Sequence, residues 1–204
     1  MDTKTNPIPP SELIINSDGS IFHLHLKPEQ LADRIVLVGD PDRVTMIGKY
    51  LSDIECDVCN REFHSITGRY AGKRLTILSH GIGGDNIDIV VNELDALANI
   101  DFSTRLPRET PRALTMVRIG TCGGLQPWSP IGTYVAAERA VGFDGVPYFY
   151  ADTERVRDLP LEAALRSQLS WRIDGLRPYA IPADPELTDR ITQDDIVRGI
   201  TIAT

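Results

Sequence analysis

Residues 35–43 read IVLVGDPDR. Four apolar residues end on Gly39, which predicts a short buried strand. Asp40 and Pro41 then open a helix, because aspartate is a favoured N-cap and proline suits the first helical position. The strand–glycine–turn design recurs in ILSHGIGGDN (77–86) and MVRIGTCGG (116–124). Between these points the spacing predicts a helix from Pro41 to about Tyr50 and three strands from Ile54 to Ser79, with a turn at Ala71-Gly72-Lys73. A helix follows from Asp85 to Ala98, with Ile87, Val90, Val91, Leu94 and Leu97 at helical spacing. Strands alternating with helices define an α/β fold.

The rest of the chain is read outward from that frame. Residues 1–20 are polar with three prolines and read as an arm rather than core; residues 21–204 read as one α/β domain. Residues 99–112 are charged, carry two prolines and read as a loop. Strands are expected in ALTMVRIG (113–120), over 133–141 and in RGITIAT (198–204), with a loop at 143–147. An amphipathic helix is expected over Leu161–Trp171 and a short one near 186–193. The chain stops on an apolar strand, so the fold is expected to be incomplete at its C-terminus.

Composition narrows the function. Of 204 residues, 21 are Lys or Arg and 29 Asp or Glu, so 21 − 29 gives a net charge of −8. An acidic chain argues against nucleic acid as partner, since a phosphate backbone wants a basic face. No stretch approaches the roughly 20 apolar residues needed to cross a bilayer, and the first residues lack a cationic, then apolar leader. Three cysteines without a leader suggest a reducing cytoplasm. Cys56 and Cys59 form a C-x-x-C in a stretch that reads as extended chain, where residues three apart face opposite ways. A redox pair wants a helix N-terminus, and zinc wants a second ligand pair, so a structural role is expected.

In α/β sheets ligands bind beyond the carboxyl ends of strands. Glycines there let backbone N–H groups approach an anion, and helix N-termini add partial positive charge. Gly39 leaves the first turn bare, and Arg43 follows in the first turn of the helix. Arg118 lies just inside the third strand, with Thr121 beyond Gly120. Guanidinium forks suit bidentate oxyanion binding, so these residues point to a phosphate or carboxylate pocket. The bland alternative is that each turn is ordinary and Arg118 is a strand-end ion-pair partner. Neither a phosphate-binding G-x-x-x-x-G-K-[ST], a dinucleotide G-x-G-x-x-G after the first strand, a G-x-S-x-G elbow nor an H-E-x-x-H occurs. His64 and His80 are expected to be structural partners; His23, in IFHLHL, has apolar neighbours that suit an interface.

The order IFHL (21–24), GDPDR (39–43), REF (61–63), HGIGG (80–84), NEL (92–94) and RIGTCGG (118–124) resembles the nucleoside phosphorylase-I family, most closely its uridine phosphorylase branch. The likeness runs from about 21 to 146 and more weakly to 204. GIGG and GDPDR followed by REF favour that branch over the hexameric purine branch. The resemblance implies a mixed central sheet flanked by helices, of the phosphorylase/hydrolase kind. It gives Gly39, Arg43, Arg118 and Thr121 to phosphate, with Arg61 lent by a neighbouring subunit. It gives His23 to the ribose 5′-hydroxyl across the same interface, Thr121 to the ribose and Gly123 to the base pocket. Glu62, Ile82 and Asn86 fall where some bacterial relatives hold a monovalent cation; Asn86 stands for the usual serine and Asp85 for a proline, and no metal is assigned.

What the resemblance implies is phosphorolysis: uridine and phosphate to uracil and ribose 1-phosphate, in a cytoplasmic homo-oligomer with shared sites. Inorganic phosphate is the co-substrate and no cofactor is expected. A purine nucleoside phosphorylase, a nucleosidase of the same fold, and a catalytically incomplete anion-binding fragment are the alternatives. Family members continue past Thr204 with the groups that read ribose and base. Residues 99–112 and 152–176 look like insertions, leaving dimer and hexamer both open.

Overall fold

The computed structural model describes residues 6–169, 177–193 and 195–203. The chain divides into two compact units, Met1–Gly120 and Thr121–Thr204.

In the first unit, β1 (Arg34–Val38) leads through Gly39 into α1 (Pro41–Gly48). The Asp40 side chain accepts from the Asp42 N–H at 2.9 Å and Pro41 occupies the first turn, as the sequence predicts. Three strands follow, β2 (Ser52–Asn60), β3 (Phe63–Tyr70) and β4 (Lys73–Ser79), then α2 (Gly84–Asn99). Next come β5 (Ile100–Asp101), β6 (Leu106–Pro107) and β7 (Thr115–Ile119). The main sheet has the order β2-β3-β4-β1-β7. β1 pairs parallel with both β4 and β7, while β2, β3 and β4 pair antiparallel, so the sheet is mixed.

Alternation along β1 assigns a helix to each face. Ile35 and Leu37 pack in one cluster with Phe63, Leu78 and the buried stripe Val90, Leu94, Leu97 and Ala98 of α2. Val38 packs on the other face with Val44 of α1, Ile66 and Ile77. Each fully buried aliphatic side chain contributes roughly 1.5–3 kcal/mol. Cys56 is buried and Cys59 exposed on the same strand, so they face opposite ways as expected.

Two expectations are corrected here. The stretch read as an arm rather than core puts Leu13 into the α2-side cluster, with Ile8 and Ile15 against it, and Ile15 bridges Ile21. The stretch 99–112 is not a plain loop. Asp101 pairs with Leu106, and Asp101 Oδ1 accepts from the Ser103 N–H at 2.8 Å and its hydroxyl at 2.6 Å, closing the turn. Arg112 then reaches Asp33 Oδ1 through Nη2 at 2.6 Å, which ties the segment to the start of β1.

The second unit carries β8 (Tyr134–Gly142), α3 (Leu159–Gln168), β9 (Tyr179–Pro182), α4 (Pro185–Ile191) and β10 (Ile196–Ala203). Its sheet runs β10-β8-β9, with β8 parallel to β10 and antiparallel to β9. Both helices begin at an aspartate and a proline: Asp158 caps α3 and Asp184 caps α4. The helix expected over Leu161–Trp171 starts two residues earlier; Trp171 lies outside the described residues. Among the described residues no helix is long and apolar enough to cross a membrane.

The second unit's sheet and α3 are tied by one buried ion pair. Glu162, fully buried, accepts from Arg157 Nε at 2.7 Å and Nη2 at 2.5 Å, and from the Ala180 N–H of β9 at 3.0 Å. Burial pushes its carboxyl up, but Arg157 and the Ala180 N–H outweigh this and hold it below its ordinary value. A depressed carboxyl contributes stability above the unfolded value and loses it as pH falls through the folded one. Glu162→Ala, which strands Arg157 at 8% exposure, is expected to lower stability by about 3–5 kcal/mol in urea unfolding, with the wild-type difference shrinking in acid.

Candidate functional site

Three parallel strands end side by side, and their register decides what meets there. Leu37 is opposite Leu78 on one side and Arg118 on the other. Period two then puts Gly39 and His80 on the face of the sheet that Arg118 shares. The His80 N–H donates to the Val38 carbonyl at 2.9 Å, extending the ladder past β4. Because the middle strand offers only Gly39, the outer two side chains bridge it: Arg118 Nε donates to His80 Nε2 at 2.9 Å. A Cβ on Gly39 would meet Gly81 O and His80 Cε1, both at 3.9 Å, an ordinary contact. A methyl group would therefore be accommodated at position 39.

His80 is 4% exposed, and its Nδ1 has no hydrogen-bond partner among the described residues. Burial, and then the Arg118 charge, hold its pKa below the ordinary value, so the ring is neutral. Since Nε2 accepts, the proton is assigned to Nδ1. The Arg118 guanidinium lies over Gly120, where a Cβ would collide with Nη1 and come within 3.1 Å of Cζ.

The other predicted residues fall as follows. Arg43 stands in the first turn of α1, its N–H donating to Asp40 O at 3.1 Å; its guanidinium makes no hydrogen bond or ion pair among the described residues. Arg61 is exposed in the turn between β2 and β3 with φ 55°. Next to it, Glu62 is held below its ordinary pKa by its own backbone N–H and by Asn86. Asn86 Nδ2 donates to Glu62 Oε1 at 2.9 Å and to Ile82 O at 3.1 Å. An amide donor thus occupies one Glu62 oxygen and the Ile82 carbonyl. Gly81 makes this cluster possible: φ is +66°, and a Cβ would stand 2.7 Å from Asn86 Nδ2 and 2.8 Å from Glu62 Cγ. Thr121 and Gly123 belong to the second unit and are exposed.

His23 is held by a residue that the sequence reading passed over. Its Nδ1 lies 2.7 Å from Glu93 Oε1, and the N–H groups of His23 and Leu24 donate to the same carboxylate at 3.0 and 2.8 Å. Asn60 Nδ2 donates to His23 O at 2.7 Å. The Glu93 clamp fixes Nδ1 inward and leaves Nε2 as the free ring nitrogen. The signal was present: Glu93 stands three residues after Val90 and four before Leu97, a carboxylate beside the buried stripe of α2. His64 does act as a structural partner, its Nε2 at 2.8 Å from Asp57 Oδ1. His80, likewise expected to be a structural partner, takes Arg118, a pairing that only the strand order reveals.

The mixed sheet between two helices, with bare glycine turns and an arginine at adjacent parallel strand ends, defines an α/β protein with its candidate site at that edge. The phosphorylase superfamily matches residues 33–204, and the chain belongs to that superfamily. It is 31% identical over 150 residues to the uridine phosphorylase of Thermococcus kodakarensis, covering 72% of this chain and 49% of that one. It is 34% identical over 106 residues to a DeoD-type purine nucleoside phosphorylase of Alkaliphilus metalliredigens, covering 52% and 40%. The structure superposes with TM-score 0.79 and 30% identity on a Trypanosoma brucei nucleoside phosphorylase described as showing uridine phosphorylase activity, over 93% of this chain and 67% of that one. A uridine phosphorylase from Vibrio fischeri shares the fold, with TM-score 0.64 and 22% identity over 89% and 61%. The chain spans about half the length of the curated relatives it matches.

Gly39 and Gly81 are expected to respond differently to alanine. Gly81→Ala should cost about 1–3 kcal/mol through strain and collision, whereas Gly39→Ala should stay within about 0.5 kcal/mol of wild type in thermal melts. Glu93→Ala should speed amide exchange at His23 and Leu24 by more than about tenfold, since two buried-side N–H groups lose their acceptor; unchanged exchange would refute the clamp.

Proposed function

We propose that the protein is a nucleoside phosphorylase of the uridine phosphorylase type, converting uridine and phosphate to uracil and ribose 1-phosphate. The observation that carries this reading is the Arg118 guanidinium, anchored through Nε to His80 at the strand end next to the bare Gly39 turn, its other four N–H donors making no hydrogen bond among the described residues. The uridine phosphorylase relatives support the choice of base, and the purine phosphorylase relatives keep inosine and adenosine in the assay.

The chemistry suits these residue types. Phosphorolysis of an N-glycoside passes through an oxocarbenium-like transition state, and phosphate is both nucleophile and counter-charge. Guanidinium groups grip the dianion and stay charged at every working pH. Arg118 and Arg43 hold it at the strand and helix ends, and Arg61 comes from a neighbouring copy. Aligning phosphate against the sugar can be worth roughly 7–11 kcal/mol, and donors fixed before reaction add to this. His23, with Nε2 free, is available to a ribose hydroxyl of the neighbouring copy's substrate. The enzyme is proposed to act in the cytoplasm, with phosphate as co-substrate and no further cofactor.

The test is uridine cleavage with and without phosphate, beside thymidine, inosine and adenosine. Cleavage should require phosphate; a phosphate-independent rate would make the protein a nucleosidase. Arg118→Ala should raise the KM for phosphate roughly 10- to 100-fold, as expected for a lost charge-assisted fork, and that for uridine far less. Mixing Arg61→Ala and Arg118→Ala proteins should restore activity, because each mixed interface then holds one site with both arginines. No recovery would sink the shared site.

A further inference from the structure

We infer that His80 is a positioning residue that sets the Arg118 guanidinium for its anion. The inference rests on the phosphate role proposed above and adds a residue to it.

The sheet gives the geometry. β4, β1 and β7 are neighbours in that order, and strands lie about 4.8 Å apart. His80 and Arg118 are thus two strands apart, and only a side chain as long as arginine, passing a residue as small as Gly39, can close the distance. The contact is through Nε, which uses up the side-on fork and leaves the end-on Nη1/Nη2 fork for an oxyanion. Nε–H donates to His80 Nε2 at 2.9 Å, and no other hydrogen bond to the guanidinium is present among the described residues. Of the five N–H donors of arginine, four remain for a ligand. Gly120 beneath Nη1 and Cζ supplies the second point of support. Two supports on a planar group fix its plane, and Nη1 and Nη2 make no hydrogen bond among the described residues.

The state of the His80 ring supports the same role. A histidine kept only to fill the core would have both nitrogens satisfied, as buried polar groups nearly always do. Here Nδ1 is buried without a partner, while Nε2 is spent on Arg118. An apolar residue of similar size would fill the space without that unmet donor. The neutral ring, in the tautomer with Nε2 bare, is the form that accepts from a guanidinium; a protonated ring has nothing to accept with. The fold thus carries an unpaired N–H at this position, and the group that benefits is Arg118.

The experiment is a double-mutant cycle read by calorimetric titration of inorganic phosphate into the purified protein. His80→Ala should weaken phosphate binding about tenfold, and His80→Gln, which retains an acceptor oxygen, should recover most of the loss. His80→Ala combined with Arg118→Ala should bind phosphate no worse than Arg118→Ala alone, because His80 acts only through that arginine. Losses that multiply, or phosphate affinity untouched by His80→Ala while Arg118→Ala is impaired, would overturn the inference. Unchanged binding in Arg118→Ala would instead overturn the phosphate reading, and this inference with it. Nitrogen-15 spectra of the wild-type protein give an answer that does not depend on the variants folding. His80 should show a bare Nε2 with a hydrogen-bond coupling to the Arg118 Nε–H, and a proton on Nε2 would refute the role.

Discussion

Parallel pairing of one short strand with two others is the constraint on which the site depends. β1 is five residues long, yet its register with β4 and β7 brings residues 39, 80 and 118 to one edge from positions far apart in the chain. Hydrogen-bonded ladders hold that register within a fraction of a residue. A slip of one position would turn His80 and Arg118 to the opposite face, and the helix faces would change with them. The clusters under α1 and α2 therefore do more than stabilise the unit: they lock the register that brings His80 and Arg118 to one edge.

Carboxylates and amides hold the parts that the ladders do not reach. Glu93 takes two backbone N–H groups and the His23 ring, so the segment before the sheet is fixed to α2. Asn86 stitches Glu62 to the Ile82 carbonyl around Gly81. In the second unit Glu162 does the same for Arg157 and β9. Each is a charged or amide group with at least one backbone partner, and each partner would be costly to leave unpaired.

Much of this was legible in the residues. The apolar runs leading into glycine turns marked β1, β4 and β7, because strands of a parallel ladder favour continuous apolar segments and their exit turns a small residue, although β7, at the sheet edge, is mostly exposed. The Asp40-Pro41 pair marked α1, because capping is a local interaction. Leu13 and the Ile100–Pro107 pairing were not legible. Their burial comes from contacts with distant residues, and their local sequence is rich in proline and charge, which reads as loop. Within the site, Gly39, Arg43 and Arg118 were named from motif and spacing, and Arg61 from the family resemblance. Glu93 and His80 were not given their partners, since His23 and Glu93 are 70 positions apart and His80 and Arg118 are 38 apart.

The sequence by itself determined the elements and the residue types at their ends: apolar strands, glycine exits, arginines and capped helices, all set by interactions among near neighbours. Only the tertiary structure decided which ends stand together and which partner each side chain takes. Strand order is chosen by burial summed over the whole sheet, and no short stretch of chain carries that sum.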